Sequence, residues 1–238
     1  MMNTTVRVLA VLLMSLVLVG LPRTSRAQPP ARNLLDRLAL HAAHFEAMRT
    51  HASCAIDGRI EHVDSDGKPN STKQMKARLE ADGTAKAKLN ILTYTENGED
   101  KTEEARQKAR NPKDKTKPDI RMPFLASEQD RYVFNQVAVD TADASRVQLA
   151  FVPKARAEDT IEGSAWVDTV TGTVISAGFK LSKTPMFVDY VNITVEFGAN
   201  TSLGPAISKV TMEGKGGVLF LRKRFRGAAT VSDYRIAP

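Results

Sequence analysis

The sequence predicts a mainly β (α+β) protein: a large curled antiparallel sheet or half-open β-barrel covered by an N-terminal amphipathic helix. Three observations carry this. Apolar and polar residues alternate with a period of two over about eleven short stretches after residue 53, the pattern of half-buried strands. One stretch only, residues 33–50, spaces its apolar residues by three and four. Turn residues rather than helices separate most successive strands, which favours antiparallel neighbours joined by short connections. The 238 residues are 42% hydrophobic and 26% charged, a composition that excludes collagen-like, low-complexity and wholly disordered classes. A single cysteine, Cys54, excludes an intramolecular disulfide scaffold.

The first residues stand apart. Arg7 precedes an uncharged apolar run over 8–21, which Pro22 breaks and Arg23 follows, and Ser25-Arg26-Ala27 offers small residues at minus three and minus one of a cleavage site. Positive start, short apolar centre and small-residue exit make a secretory signal peptide, and the run is shorter than the ~18 to 20 residues that span a bilayer. Residues 1–27 are therefore expected to be cleaved, leaving one domain over 28–238 in an exported compartment such as a periplasm. Loss of Arg7, Arg23 and Arg26, with no acid, lowers the formal net charge from +7 to +4. The mixed surface that remains lacks the massed basic face and aromatic platforms of a nucleic-acid binder.

Within 33–50, Leu34, Leu38, Ala42, Phe45 and Met48 form the apolar stripe of an amphipathic helix. From Ser53 the period changes: Ile56, Gly58, Ile60 and His62 face one way, and Asp57, Arg59 and Glu61 the other. After a turn at Asp64-Ser65-Asp66-Gly67, Met75, Ala77, Leu79 and Ala81 alternate with charged residues, Asp82-Gly83 signals a hairpin, and Ala85, Ala87, Leu89 and Ile91 return. These three strands read as a meander. Residues 97–120 break the pattern with a dense run of charge, an exposed helical excursion or loop. Strand periodicity then resumes over 132–139, 146–152, 161–168, 173–181, 187–197, 207–213, 218–225 and 229–236, with Gly214-Lys215-Gly216-Gly217 read as a hairpin loop.

The strand faces are unequal. Val147, Leu149 and Phe151 share one, Ile175, Ala177, Phe179 and Leu181 another, and Phe187, Val191, Ile193, Val195 and Phe197 a third, interrupted by Asp189. Together they predict a concave apolar surface, which a curled sheet either fills with a helix or keeps as a ligand cavity. Phe151, Phe179, Phe187, Val191, Ile193, Val195 and Phe197 are the expected lining, with Leu34, Leu38 and Phe45 on the covering helix. Arg222, Arg224 and Arg226 alternate onto one side of a strand, where they would meet an anionic headgroup or an acidic partner, or guard an edge against aggregation.

Chemistry is sparse. His41 and His44 share a helix face but have no third ligand at a metal-site spacing. Cys54 and His51 are neighbours in sequence without the contact that a nucleophilic dyad needs, so Cys54 reads as a structural thiol. No nucleophile elbow, phosphate loop or dinucleotide fingerprint occurs. No enzyme activity, metal or cofactor is expected.

Tyr132-Val-Phe, the strand Val147-Gln-Leu-Ala-Phe-Val-Pro153, the run Ile161-Glu-Gly-Ser-Ala-Trp-Val-Asp168 with its Thr171-Gly172 turn, Phe179-Lys-Leu, and Val191-Asn-Ile-Thr-Val-Glu-Phe197 follow in an order that resembles bacterial outer-membrane lipoprotein-sorting proteins of the LolA/LolB-like superfamily. Leu203-Gly-Pro205 and Ser232-Asp-Tyr234 extend the resemblance, which covers roughly residues 120–238. It implies an incomplete antiparallel barrel closed by helices, whose concave side receives lipoprotein acyl chains, a lipid or another amphipathic ligand in the periplasm. An inner- or outer-membrane protein would be the second class of partner. The pattern also admits an envelope structural or interaction protein with a filled core.

Overall fold

The computed structural model describes residues 29–64, 66–81, 88–110, 119–184, 186, 188–218 and 221–236, without the side chains of 218, 221 and 222. The expected signal peptide at 1–27, the Asp82-Gly83 hairpin signal and Phe187 lie outside them. Helix α1 (Arg32–His51) leads into β1 (Ala52–Val63), β2 (Pro69–Glu80), β3 (Lys88–Glu96) and the two-residue β4 (Glu99–Asp100). Helices α2 (Thr102–Arg110) and α3 (Ala126–Gln129) follow, then β5 (Tyr132–Val139), β6 (Arg146–Pro153), β7 (Ile161–Asp168), β8 (Thr173–Leu181) and β9 (Val188–Glu196). A small hairpin, β10 (Ala199–Thr201) and β11 (Gly204–Ala206), precedes the long β12 (Lys209–Val218) and β13 (Leu221–Ile236).

Eleven strands form one antiparallel sheet in the order β4-β3-β2-β1-β13-β12-β9-β8-β7-β6-β5. Two meanders explain the order: β1 to β4 run to one edge, β5 to β9 run in from the other, and β13 closes against β1 through the register Ile56↔Val231 and Ile60↔Gly227. Because β4 and β5 lie at opposite edges, the chain between them must traverse the sheet. That crossing contains the charged excursion, and its described helix α2 buries no residue.

The sequence expectation fails at three points, each for a local reason. Gly214-Lys215-Gly216-Gly217 is not a hairpin loop but part of β12; the Phe225 ring crosses Gly214, where an added Cβ would stand 2.5 Å from it. The expected stretches 218–225 and 229–236 do not make two strands: Val218 ends β12, and 221–236 are a single strand, β13, because ladders to β1 and β12 on both sides run through the expected break at 226–228. Finally, Ile175 does not share the inner register with Ala177 and Phe179. A β-bulge pairs Trp166 with Ser176 and Val167 with Val174, so Val174 takes the core place at 1% exposure.

Helix α1 covers the β5 to β8 half of the concave face. Leu34, Leu38 and Ala42 bury against a cluster containing Val147, Leu149, Ala165, Val167 and Val174. Full burial of a leucine such as Leu38 stabilises by about 1.5–3 kcal/mol. The helix is positioned at its start by the β7–β8 turn, where Arg37 donates from Nη2 to the Thr169 carbonyl at 2.7 Å. Gly172 closes that turn with φ +71°, and a Cβ there would lie 2.3 Å from the Cβ of Arg37, so both backbone and space require glycine. The other end of α1 packs through Met48 on Ala52 and Ala206, with Phe45 and Leu203 alongside.

Candidate functional site

Strand alternation sends Phe151, Ile161, Ala177, Phe179 and Val195 to the inner face, and the last turns of α1 bring Phe45 down over them. Together with Phe197, Ile207 and the crossing segment from Ile120 to Phe124, they enclose a cavity of about 150 Å³. Its walls are almost wholly apolar, and Arg121 is the one charged residue among them. Aromatic rings build much of the frame. Phe124 stacks on Phe134 at 5.5 Å between centroids and meets Phe151 edge-on at 5.8 Å; Phe45 meets Phe197 edge-on at 5.7 Å.

The cavity is closed on one side by a contact between α1 and the crossing. Arg49 donates to Asp119 at 2.8 Å and to both oxygens of Glu46 at 3.0 Å, and Arg121 donates to Asp119 at 3.3 Å. The hydrogen bond that Arg49 donates holds the Asp119 carboxyl below its ordinary pKa, and its acceptance by Asp119 raises that of the Arg49 guanidinium. Both partners are partly exposed, so the pair is worth no more than about 1 kcal/mol. At this end of the helix the polar contact is weak, whereas Phe124 and Leu125 of the crossing share the buried cluster of Leu34, Leu38 and Ala42.

Behind Phe197 lies His41, 5% exposed, its ring edge-on to Phe197 at 5.5 Å. Its Nε2 is buried without a hydrogen-bond partner, as are Arg37 Nε and His62 Nδ1. Burial, with a smaller contribution from His44, lowers the His41 pKa to about 4. No group of three or more His, Cys, Asp or Glu among the described residues could hold a metal ion. Cys54 is buried and free, and burial raises its thiol pKa.

The residues expected from the sequence fall into separate places. Phe45, Phe151, Phe179, Val195 and Phe197 line the cavity. Leu34 and Leu38 belong to the filled core under the first half of α1. Val191 and Ile193 lie further along the same face, where no helix among the described residues covers them: Ile193 pairs with Met212 and Val191 with Gly214, and Ile60 with Met212 fills the space over Gly227. This strip continues the cavity as an open apolar trough, with Ile60 38% exposed. Phe225 points into the trough, so Arg224 and Arg226 alternate onto the opposite, convex face, and Arg226 donates to Glu61 at 2.7 Å. The side chain of Arg222 is outside the described residues.

Sequence reasoning did not find the crossing's contribution. Ile120, Met122, Pro123 and Phe124 follow a charged run and have no strand or helix period, so pattern matching passes over them. The uncharged run Met122-Pro123-Phe124-Leu125 was the available signal, and Phe124 is 1% exposed.

No protein-family model matches the chain, and comparison with curated proteins gave no match. Solved structures of the LolA superfamily are among those it resembles. A LolA superfamily protein from Nitrosomonas europaea is similar at TM-score 0.39 and 11% identity, over 87% of this chain and 94% of that one. A domain assigned as an outer membrane lipoprotein-sorting protein from Vibrio parahaemolyticus gives 0.37 and 14%, over 83% and 92%. MucB in the Pseudomonas aeruginosa MucA/MucB complex gives 0.25 and 13%, over 87% and 99%. Likenesses this loose leave the architecture to stand on the chain's own strand order: a mainly β protein with one open, curled antiparallel sheet and a helix across part of its concave face.

Proposed function

We propose that the chain is a non-enzymatic periplasmic carrier or binding protein that holds a lipid or lipoprotein acyl group in the concave face of its sheet. The observation that supports it is the apolar cavity between Phe45, Phe151, Phe179, Val195 and Phe197 and its open continuation along Ile193 and Val191. Each methylene moved from water into such a groove gains ~0.8 kcal/mol, so retention grows with the length of chain that the cavity and trough cover together. Separation of α1 from the crossing at Arg49–Asp119 would admit and release it. No helix among the described residues is long and apolar enough to cross a membrane.

The test is native mass spectrometry with lipid extraction on protein purified without detergent from an envelope fraction. Acyl species co-purify with the wild type and are lost from folded Phe179→Lys and Ile193→Lys. A ligand-free wild type that also fails to bind lipidated peptide or a fluorescent fatty acid overturns the carrier reading. It would favour an envelope interaction protein, a reading that the filled core beneath Leu34 and Leu38 supports.

A further inference from the structure

The two edges of the large sheet are finished in opposite ways. At one, β4 and α2 lie along β3, where Arg106 donates from Nε to the Ile91 carbonyl at 2.9 Å and from Nη2 to the Leu92 carbonyl at 3.1 Å. Lys101 N serves the Tyr94 carbonyl at 2.9 Å. The other edge is β5. Its ladder runs to β6, and among the described residues no other group bonds the main chain of 133–139. A bare edge presents a row of unpaired N–H and C=O groups, and chains that must stay unpaired blunt it with charge, proline or a covering element. β5 reads Tyr-Val-Phe-Asn-Gln-Val-Ala-Val, and of the eleven strands in the sheet it alone has no Asp, Glu, Lys or Arg. A bulge between Gln136 and Ala138 interrupts its far half, but 132–136 keep regular register.

The convex side of this edge is apolar as well. Val133 and Val152 are register partners across β5 and β6, and they are 46% and 48% exposed. We infer that β5 pairs antiparallel with β5 of a second copy of this chain across a two-fold axis. An isologous seam sets the same uncharged stretch against itself, so no charge is buried unanswered along it, as it would be with a charged partner segment. Val133 and Val152 of the two copies then shield one another from water. The cavity opens on the other face and does not depend on this seam.

Analytical ultracentrifugation of the protein as purified from its native cell, over a wide concentration range, tests this. The wild type sediments as a dimer, Val133→Lys as a monomer with unchanged circular dichroism, and Val133→Thr, which keeps the branch without a charge, as a dimer. A monomeric wild type, or a Val133→Lys dimer, overturns the proposal. Should Val133→Lys fail to fold, amide exchange of the wild type decides: protection in 132–136 falls on dilution if β5 is the seam, and concentration-independent exchange there overturns it.

Discussion

Between about pH 6.5 and 4.5, acid should weaken this fold chiefly through His41. His41 is buried against Phe197 with Nε2 unpartnered, and its pKa falls from 6.5 to about 4. Between those values the unfolded chain binds a proton that the folded chain refuses, so stability rises with pH across that window and is lost as pH falls. A shift of about 2.5 units at 1.36 kcal/mol each makes the loss roughly 3 kcal/mol when pH 4 is reached, a large share of the ~5–15 kcal/mol that holds a domain together. Replacement His41→Leu keeps an apolar side chain of comparable size beside Phe197 and removes the titration. Urea unfolding of both proteins from about pH 4.5 to 7.5 separates this residue from the carboxylates, because Asp119, Asp168 and Asp233 have lowered pKa values and titrate below the window in both. The stability difference between variant and wild type should grow by about 1 kcal/mol per pH unit on acidification within the window. A difference that stays constant with pH would refute the reasoning, as would an imidazole NMR titration with an ordinary midpoint.

Three further outcomes follow from the packing. Phe151→Ala removes a ring that is 1% exposed and touches Phe124 and Tyr132, and should cost about 3–5 kcal/mol in denaturant unfolding. Gly172→Ala places a Cβ at positive φ against Arg37, so it should destabilise by more than ~1 kcal/mol, seen as a lower thermal midpoint, and should loosen the start of α1 in amide exchange. Cys54, buried with a raised thiol pKa, should react with a thiol reagent at a rate that tracks unfolding and should not respond to a modest rise in pH.

Much of the fold was legible because strand burial writes itself as period two. Tyr132–Val139, Ile161–Asp168 and Thr173–Leu181 were readable to the residue, since each has one face in the core and sharp turn residues at its ends. Helix α1 was equally plain, with Leu34, Leu38 and Ala42 on its buried stripe. Where a glycine sits in a strand, the same code misleads. Gly214 looks like a turn and Gly227 lies between two expected strands, and only the neighbouring Phe225, Ile60 and Met212 show that they are vacancies other side chains occupy. The bulge at Ile175 is illegible for a similar reason: one extra residue is set by the partner strand, not by the residues that flank it.

By itself, then, the sequence determined the class of elements, their order and which side chains are apolar enough to face inward, because these follow from local periodicity and solvation. Tertiary structure alone decided how the inner face is divided among a filled core under Leu34 and Leu38, a cavity beneath Phe45 and an open trough along Ile193. That division depends on where the crossing from β4 to β5 comes to rest, and Ile120 to Phe124 are placed by contacts with residues far away in the chain rather than by any pattern of their own. The same holds for the bare edge. An uncharged strand is unremarkable within a sheet, and β5 acquires its meaning only from the topology that leaves it outermost.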